Sequence, residues 1–304
     1  MTVIQQLKEQ GIDALATENY QLAVDCLNQV YDYDRTFENN QLFARALSKN
    51  GQNDSALTIA QEYVGEYLGQ QKDYQFYFEL CLKAKHFIMA RRMAVESIEE
   101  SDKVRRIEEV AAAEENERAE NPKVIDQAVR RFRHIAAFDV LTQQQIYQDA
   151  LNLPVRDFVD AARNVLLDPD CFALIRISIL TDIQCLFLHQ KFSYRFIDGE
   201  VYTTILCDHP KPLRDPAFSK AREYLSRTVG QEDPVAYGML LDQLRLEMNT
   251  VFPQLDRITD PIAWVQADVA MFNDKEGRVD FAESADQKNL HEMVHHFLEE
   301  MGAS

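Results

Sequence analysis

The chain has 304 residues, 46% of them hydrophobic, with a formal net charge of −18 and a mean hydropathy of −0.35. That length and balance describe a folded polypeptide with room for two cores and exclude a disordered chain. A surface this acidic also excludes one built broadly for nucleic acid, since phosphate neutralisation needs dense basic residues.

In chain order the first signal is a repeat. Ala23, Ala56 and Ala90 follow one another at intervals of 33 and 34 residues, each in the same frame. Four residues after them stand Leu27, Ala60 and Ala94; nine before stand Ala14, Leu47 and Cys81; twelve before stand Gly11, Ala44 and Phe78. Small residues at fixed offsets suit helices whose backbones approach closely. This pattern resembles the tetratricopeptide-repeat family over about residues 1–100, in which each unit is a pair of antiparallel helices stacked on its neighbours. Two family features are missing: Leu7, Asn40 and Tyr74 stand at the tryptophan place, and Arg35, Leu68 and Asp102 at that of the closing proline. The resemblance implies an all-α helical-hairpin array, an alpha-alpha superhelix, with a concave wall formed by the first helix of each pair.

Residues 101–119 read as a long charged helix that caps the array, with Val104, Ile107 and Val110 on one stripe and the solvated run Glu114, Glu115, Glu117 and Glu120. Asn121-Pro122 marks a boundary, giving a repeat domain over 1–120 and a helical C-terminal domain over 121–304. Helices are expected at 124–138, 143–151, 155–167 and 171–189. The last of these is broken by Arg176 and Asp182 and is read as buried in the protein, not as a membrane span. A β-hairpin follows over 192–206, with a two-residue Asp198-Gly199 turn that pairs Phe192, Tyr194 and Phe196 with Ile205, Thr203 and Val201. Asp233-Pro234 and Asp260-Pro261 are helix starts, and helices are expected at 217–229, 234–251, 261–272 and 286–301, with Trp264 as a core anchor. This half is similar to an uncharacterised region of bacterial tetratricopeptide proteins, a resemblance that implies no activity.

Lys8, Glu9 and Asp13 stand where a secretory signal needs an unbroken apolar run. Five cysteines, Cys26, Cys81, Cys171, Cys185 and Cys207, share no CxxC spacing and read as reduced core thiols, so the expected compartment is the cytoplasm.

Three patterns bear on chemistry. His291-Glu292-Met293-Val294-His295 fits HExxH, in which two histidines one helical turn apart share a metal and the glutamate activates water. Met301 stands at the place of a third histidine, leaving a further ligand to come from elsewhere, His189 or His209 among the candidates. This gives the alternative of a metal-dependent hydrolase. Residues 142–163 have the rhythm of a helix-turn-helix, with Tyr147 where a small residue packs and Asp157 and Asp160 on the reading helix, and give the second alternative, a nucleic-acid-binding regulator. No Walker A, GxSxG or GxGxxG motif is present.

The leading expectation comes from the repeat groove. The resemblance assigns its wall to residues that include Lys8, Gln41, Arg45, Lys49, Lys72, Gln75 and Lys83, a positive lining in an acidic protein. Of the family's carboxylate clamp only Lys8 and Lys72 are matched, with Ile12, Leu42 and Phe76 at the other places. The expected function is a non-enzymatic scaffold that takes an extended acidic peptide. It needs no cofactor, metal, nucleic acid or membrane, and homo-oligomerisation is left open.

Overall fold

A computed structural model describes residues 2–97, 99–273 and 283–302. The described residues are all-α apart from a two-stranded antiparallel sheet, and contacts divide the chain into two compact units, Met1–Ile125 with Leu151–Val155, and Asp126–Ala150 with Arg156–Ser304.

The first unit begins with α1 (Val3–Ala16) and α2 (Tyr20–Tyr33), α3 (Phe37–Lys49) and α4 (Asn53–Gln61), a short α5 (Val64–Gly69), then α6 (Gln71–Lys83), α7 (Phe87–Val95) and α8 (Glu100–Glu120). Apart from α5, each helix packs on the next in this order, with α4 against α6 and α7 against α8. Thr2 and Gln5 form a capping box at the start of α1, and Thr36 caps α3. The three hairpin turns share one geometry. Glu18, Gly51 and Lys85 sit at φ 61°, 81° and 58°. The next amide of each closes the turn, Asn19 donating to Ala14 (2.8 Å), Gln52 to Leu47 (2.9 Å) and His86 to Cys81 (2.8 Å). These are the hydrogen bonds of a Schellman end, which satisfies carbonyls that a terminating helix would leave bare. Ala23, Ala56, Ala60, Ala90 and Ala94 are all wholly buried, as small residues at helix crossings require.

The expected capping helix is present as α8, but its inner stripe differs. Val104 is exposed while Arg106 is buried, its guanidinium lying 4.5 Å from the Tyr74 ring and donating to Ser97. Nor is the glutamate run only solvated, because Glu114 accepts from the Val155 amide (2.8 Å) and Glu117 pairs with Lys85 (2.7 Å).

The second unit contains α9 (Pro122–Arg133) from Asp126 onward, α10 (Val140–Ala150), α11 (Val155–Val165) from Arg156 onward, α12 (Ala173–Cys185), β1 (Lys191–Arg195), β2 (Val201–Ile205), α13 (Pro216–Arg227), α14 (Val229–Glu232), α15 (Pro234–Val251), α16 (Pro261–Asn273) and α17 (Ala285–Glu300). The hairpin register departs from expectation by one residue. Phe192 faces Thr204, Ser193 faces Thr203 and Tyr194 faces Tyr202. The loop has three residues instead of two, closed by Gly199 N–H to Phe196 O (3.1 Å), with Gly199 in the left-handed region at φ 84°. That is the three-residue hairpin loop in which glycine supplies the last, positive-φ position. The buried face therefore joins Phe192, Tyr194 and Phe196 to half-buried Tyr202 and Thr204, while Val201 is half exposed. Gln254 and Arg257, beyond α15, cover it by hydrogen bonding to the Tyr194 hydroxyl and stacking over Phe196.

Of the described residues, no helix is long and apolar enough to cross a membrane. All five cysteines are unpaired, four of them buried.

Candidate functional site

The first helices α1, α3 and α6 carry the residues assigned to the groove. On α3 the buried side is Asn39, Asn40, Phe43, Ala44, Ala46 and Leu47, which leaves Glu38, Gln41, Arg45, Ser48 and Lys49 on the outer side. The same geometry on α6 turns Lys72, Gln75, Glu79 and Lys83 outward. Two contacts stitch these faces together: Lys8 pairs with Glu38 at 2.8 Å, and the Arg45 guanidinium lies 5.2 Å from the Phe76 ring. Phe76, a departure from the family's clamp, thus holds an arginine in place by its π face. Gln75 donates to Glu79 (3.0 Å) and accepts from Arg106 of α8 (3.4 Å). A depression of about 520 Å³ there is lined by Gln71, Lys72, Gln75, Asp102, Arg105 and Arg106. Lys49, Lys72 and Lys83 are exposed and have no ion pair among the described residues, whereas Lys8 is neutralised by its partner.

The HExxH residues lie on α17 in the second unit, and the structure separates them. His291 and His295 face inward, while Glu292 is exposed and takes no part in what the histidines meet. The two imidazoles converge with Glu247 of α15 and Asp268 of α16. His291 Nε2 is 2.9 Å and His295 Nε2 3.1 Å from Asp268 Oδ1, and His295 Nε2 is 3.4 Å from Glu247 Oε1. Neither His189 nor His209 belongs to this group. His209 bonds Thr204 (2.7 Å), and exposed His189 lies beside Cys207 and Asp208.

Helix starts set these positions. Asp233 and Asp260 cap α15 and α16 by accepting from Val235, Ala236, Ile262 and Ala263 amides at 3.0 Å, each with proline in the first turn, and Ser284 caps α17. Each helix then presents residues four apart on one face: Gln243 and Glu247, Trp264 and Asp268, Gln287, His291 and His295. Trp264, expected as a core anchor, is fully buried but also polar in role. Its indole N–H donates to Glu247 Oε2 (2.7 Å), and its ring stacks on His291 at 3.9 Å and 17°. Gln243 donates to Glu247 Oε1 (2.9 Å), and Gln287 donates to Glu283 (2.7 Å), which faces His291 Nδ1 at 3.4 Å.

Burial, and next the charge of Asp268, push the Glu247 carboxyl up to about 7 against the pull of both histidines. Burial disfavours a charge on His291, but hydrogen bonds to Asp268 and Glu283 outweigh it and lift the imidazole to about 10. Asp268 is held below the usual carboxylate range, burial being overcome by its bonds to the two histidines. Sequence reasoning found the histidine pair and missed both carboxylates. For Asp268 the signal was an acid standing inside an apolar run, the only acid between Pro261 and Asn273, whereas Glu247 shares its helix with Asp242 and Arg245 and carried no such signal.

The helix-turn-helix segment carries α10 and α11, with Tyr147 buried and bonded to Asp182. Comparison of the chain with protein-family models, with curated proteins and with solved structures gives no match.

Proposed function

We propose that the first unit is a tetratricopeptide-type scaffold, non-enzymatic, whose row of first helices binds an extended acidic segment of a partner protein. The observation that carries this is the set of exposed lysines Lys49, Lys72 and Lys83, along the joined outer faces of α3 and α6 and without ion pairs among the described residues, in a chain of net charge −18. Cations left unpaired against an acidic background create a local positive field that draws in carboxylates. Gln41, on the outer face of α3, can hydrogen-bond an extended backbone, while Gln75 is held by Glu79 and Arg106. Arg45 already rests on Phe76 and Lys8 on Glu38, so these two shape the face more than they bind.

The test is fluorescence anisotropy with labelled Glu/Asp-rich and Lys-rich peptides of equal length. The wild type should bind only the acidic peptide, and Lys49→Glu/Lys72→Glu/Lys83→Glu should weaken it at least about tenfold with unchanged circular dichroism, since each reversed charge replaces attraction by repulsion. Equal affinity for both peptides, or unchanged binding by the variant, would remove the proposal.

A further inference from the structure

The cluster of Glu247, Asp268, His291 and His295 lies in the second unit and has no part in the scaffold reading. We infer that it is a binding site for one divalent first-row transition-metal ion, held by His291 Nε2, His295 Nε2, Asp268 and Glu247.

Distance comes first. Two ligand atoms about 2.1 Å from a shared ion lie about 3.0 Å apart at a right angle and about 3.4 Å apart at the tetrahedral angle. The two Nε2 atoms are 2.9 Å apart, their distances to Asp268 Oδ1 are 2.9 and 3.1 Å, and His295 Nε2 to Glu247 Oε1 is 3.4 Å. The group as a whole fits within 4.8 Å. The i, i+4 spacing on α17 brings the two imidazoles together, but Glu247 and Asp268 come from α15 and α16, so no local chain geometry forces the carboxylates to join them.

Proton accounting comes second. A neutral imidazole has a single N–H. When a metal ion binds, the Nδ1–H of His291 donates to Glu283 and Nε2 gives up the proton it otherwise donates to Asp268, which frees a lone pair aimed at Asp268 and at the facing Nε2 of His295. Lone pairs converging in a buried site repel unless a cation stands between them. The arrangement carboxylate–Nδ1, with Nε2 directed to the centre, is how metal-bound histidines are oriented. Glu247 is oriented likewise, by Trp264 on one oxygen and Gln243 on the other.

The third observation is independent of the ring geometry. Asp268 is 2% exposed, and its Oδ2 has no hydrogen-bond partner. A buried carboxylate oxygen left bare is costly, and coordination by a cation satisfies it. Of the four residues only His295, 23% exposed, reaches the surface, which gives an ion a way in. Nitrogen and oxygen donors without thiolate favour Zn²⁺, Fe²⁺, Co²⁺ or Mn²⁺ over soft Cu⁺. Because Glu292 is turned out to solvent, the site lacks the water-activating glutamate of HExxH, and the inferred role is to tie α15, α16 and α17 together.

The rival arrangement fills the cluster with protons only, as a buried ion-pair network. Tag-free full-length protein, stripped with EDTA and supplied with Zn²⁺, separates the two. We expect one zinc per chain after gel filtration, measured by elemental mass spectrometry. Co²⁺ should show d–d bands without a thiolate charge-transfer band, which excludes the exposed His189, Cys207 and Asp208 group as the holder. His295→Gln should weaken zinc about 100-fold, whereas Glu292→Gln should bind as the wild type does. Failure of the wild type to retain zinc and cobalt, a thiolate band, or unchanged affinity in a folded His295→Gln would overturn the inference. Should His295→Gln not fold, the wild-type stoichiometry and cobalt spectrum decide.

Discussion

Asn19, Gln52 and His86 occupy the same place before the second helix of each hairpin, and they serve it unequally. Asn19 accepts from the Leu22 amide, whereas Gln52 and His86 make no capping bond. His86 also has its Nδ1 buried without a partner, and burial lowers its pKa despite the charge of Asp54. As pH falls through about 6.5 the unfolded chain takes up a proton there before the folded one does, so this residue makes stability fall with acidification and adds nothing above that range. His86→Asn should flatten the acid side of the stability curve and add about 1 kcal/mol through the new cap, as read from urea unfolding at pH 7.5 and 5.5. Gly11 shows the same dependence on place. A Cβ there would meet buried Leu27 Cγ at 2.7 Å, while its counterparts Ala44 and Phe78 are accommodated in full burial.

At the scale of elements, the second hairpin acquires a helix that periodicity did not announce. α5 delivers Tyr67, wholly buried, whose hydroxyl donates to Asn40 Oδ1 (2.9 Å). Asn40 in turn donates to Tyr31 (3.0 Å) and to Ile59 O (2.7 Å), and Tyr31 donates to Glu62 (2.8 Å). The residue at the resemblance's tryptophan place thus ties α3 to three other helices, α2, α4 and α5, by hydrogen bonds instead of filling space. Asn40→Leu leaves two tyrosine hydroxyls and a carbonyl short of partners and should destabilise the protein by about 2–3 kcal/mol in chemical denaturation. The β-hairpin carries a related lesson. Asp198-Gly199 announced a turn, but whether two or three residues closed it depended on which face the neighbouring side chains could cover, and that set the register.

On the scale of the whole molecule, the two units have separate cores, and the two proposals fall one in each. Zinc binding should therefore protect amides in α15, α16 and α17 from hydrogen exchange and leave those of α1 to α7 unchanged. At a free ion concentration 1,000 times Kd the gain is about 4 kcal/mol. Equal protection in both units would show that the ion acts elsewhere. By itself the sequence determined the helical class, the triple repeat and the starts of α15 and α16. The helix starts rest on an aspartate next to a proline, side chains within a few residues of one another, and the repeat on small residues that recur at intervals of 33 and 34 in the same frame. Only the tertiary structure decided that Glu292 leaves the histidines and that Glu247 and Asp268 join them. Spacing fixes which side chains share a face of one helix, but which faces meet is set by how three helices rotate and pack against one another.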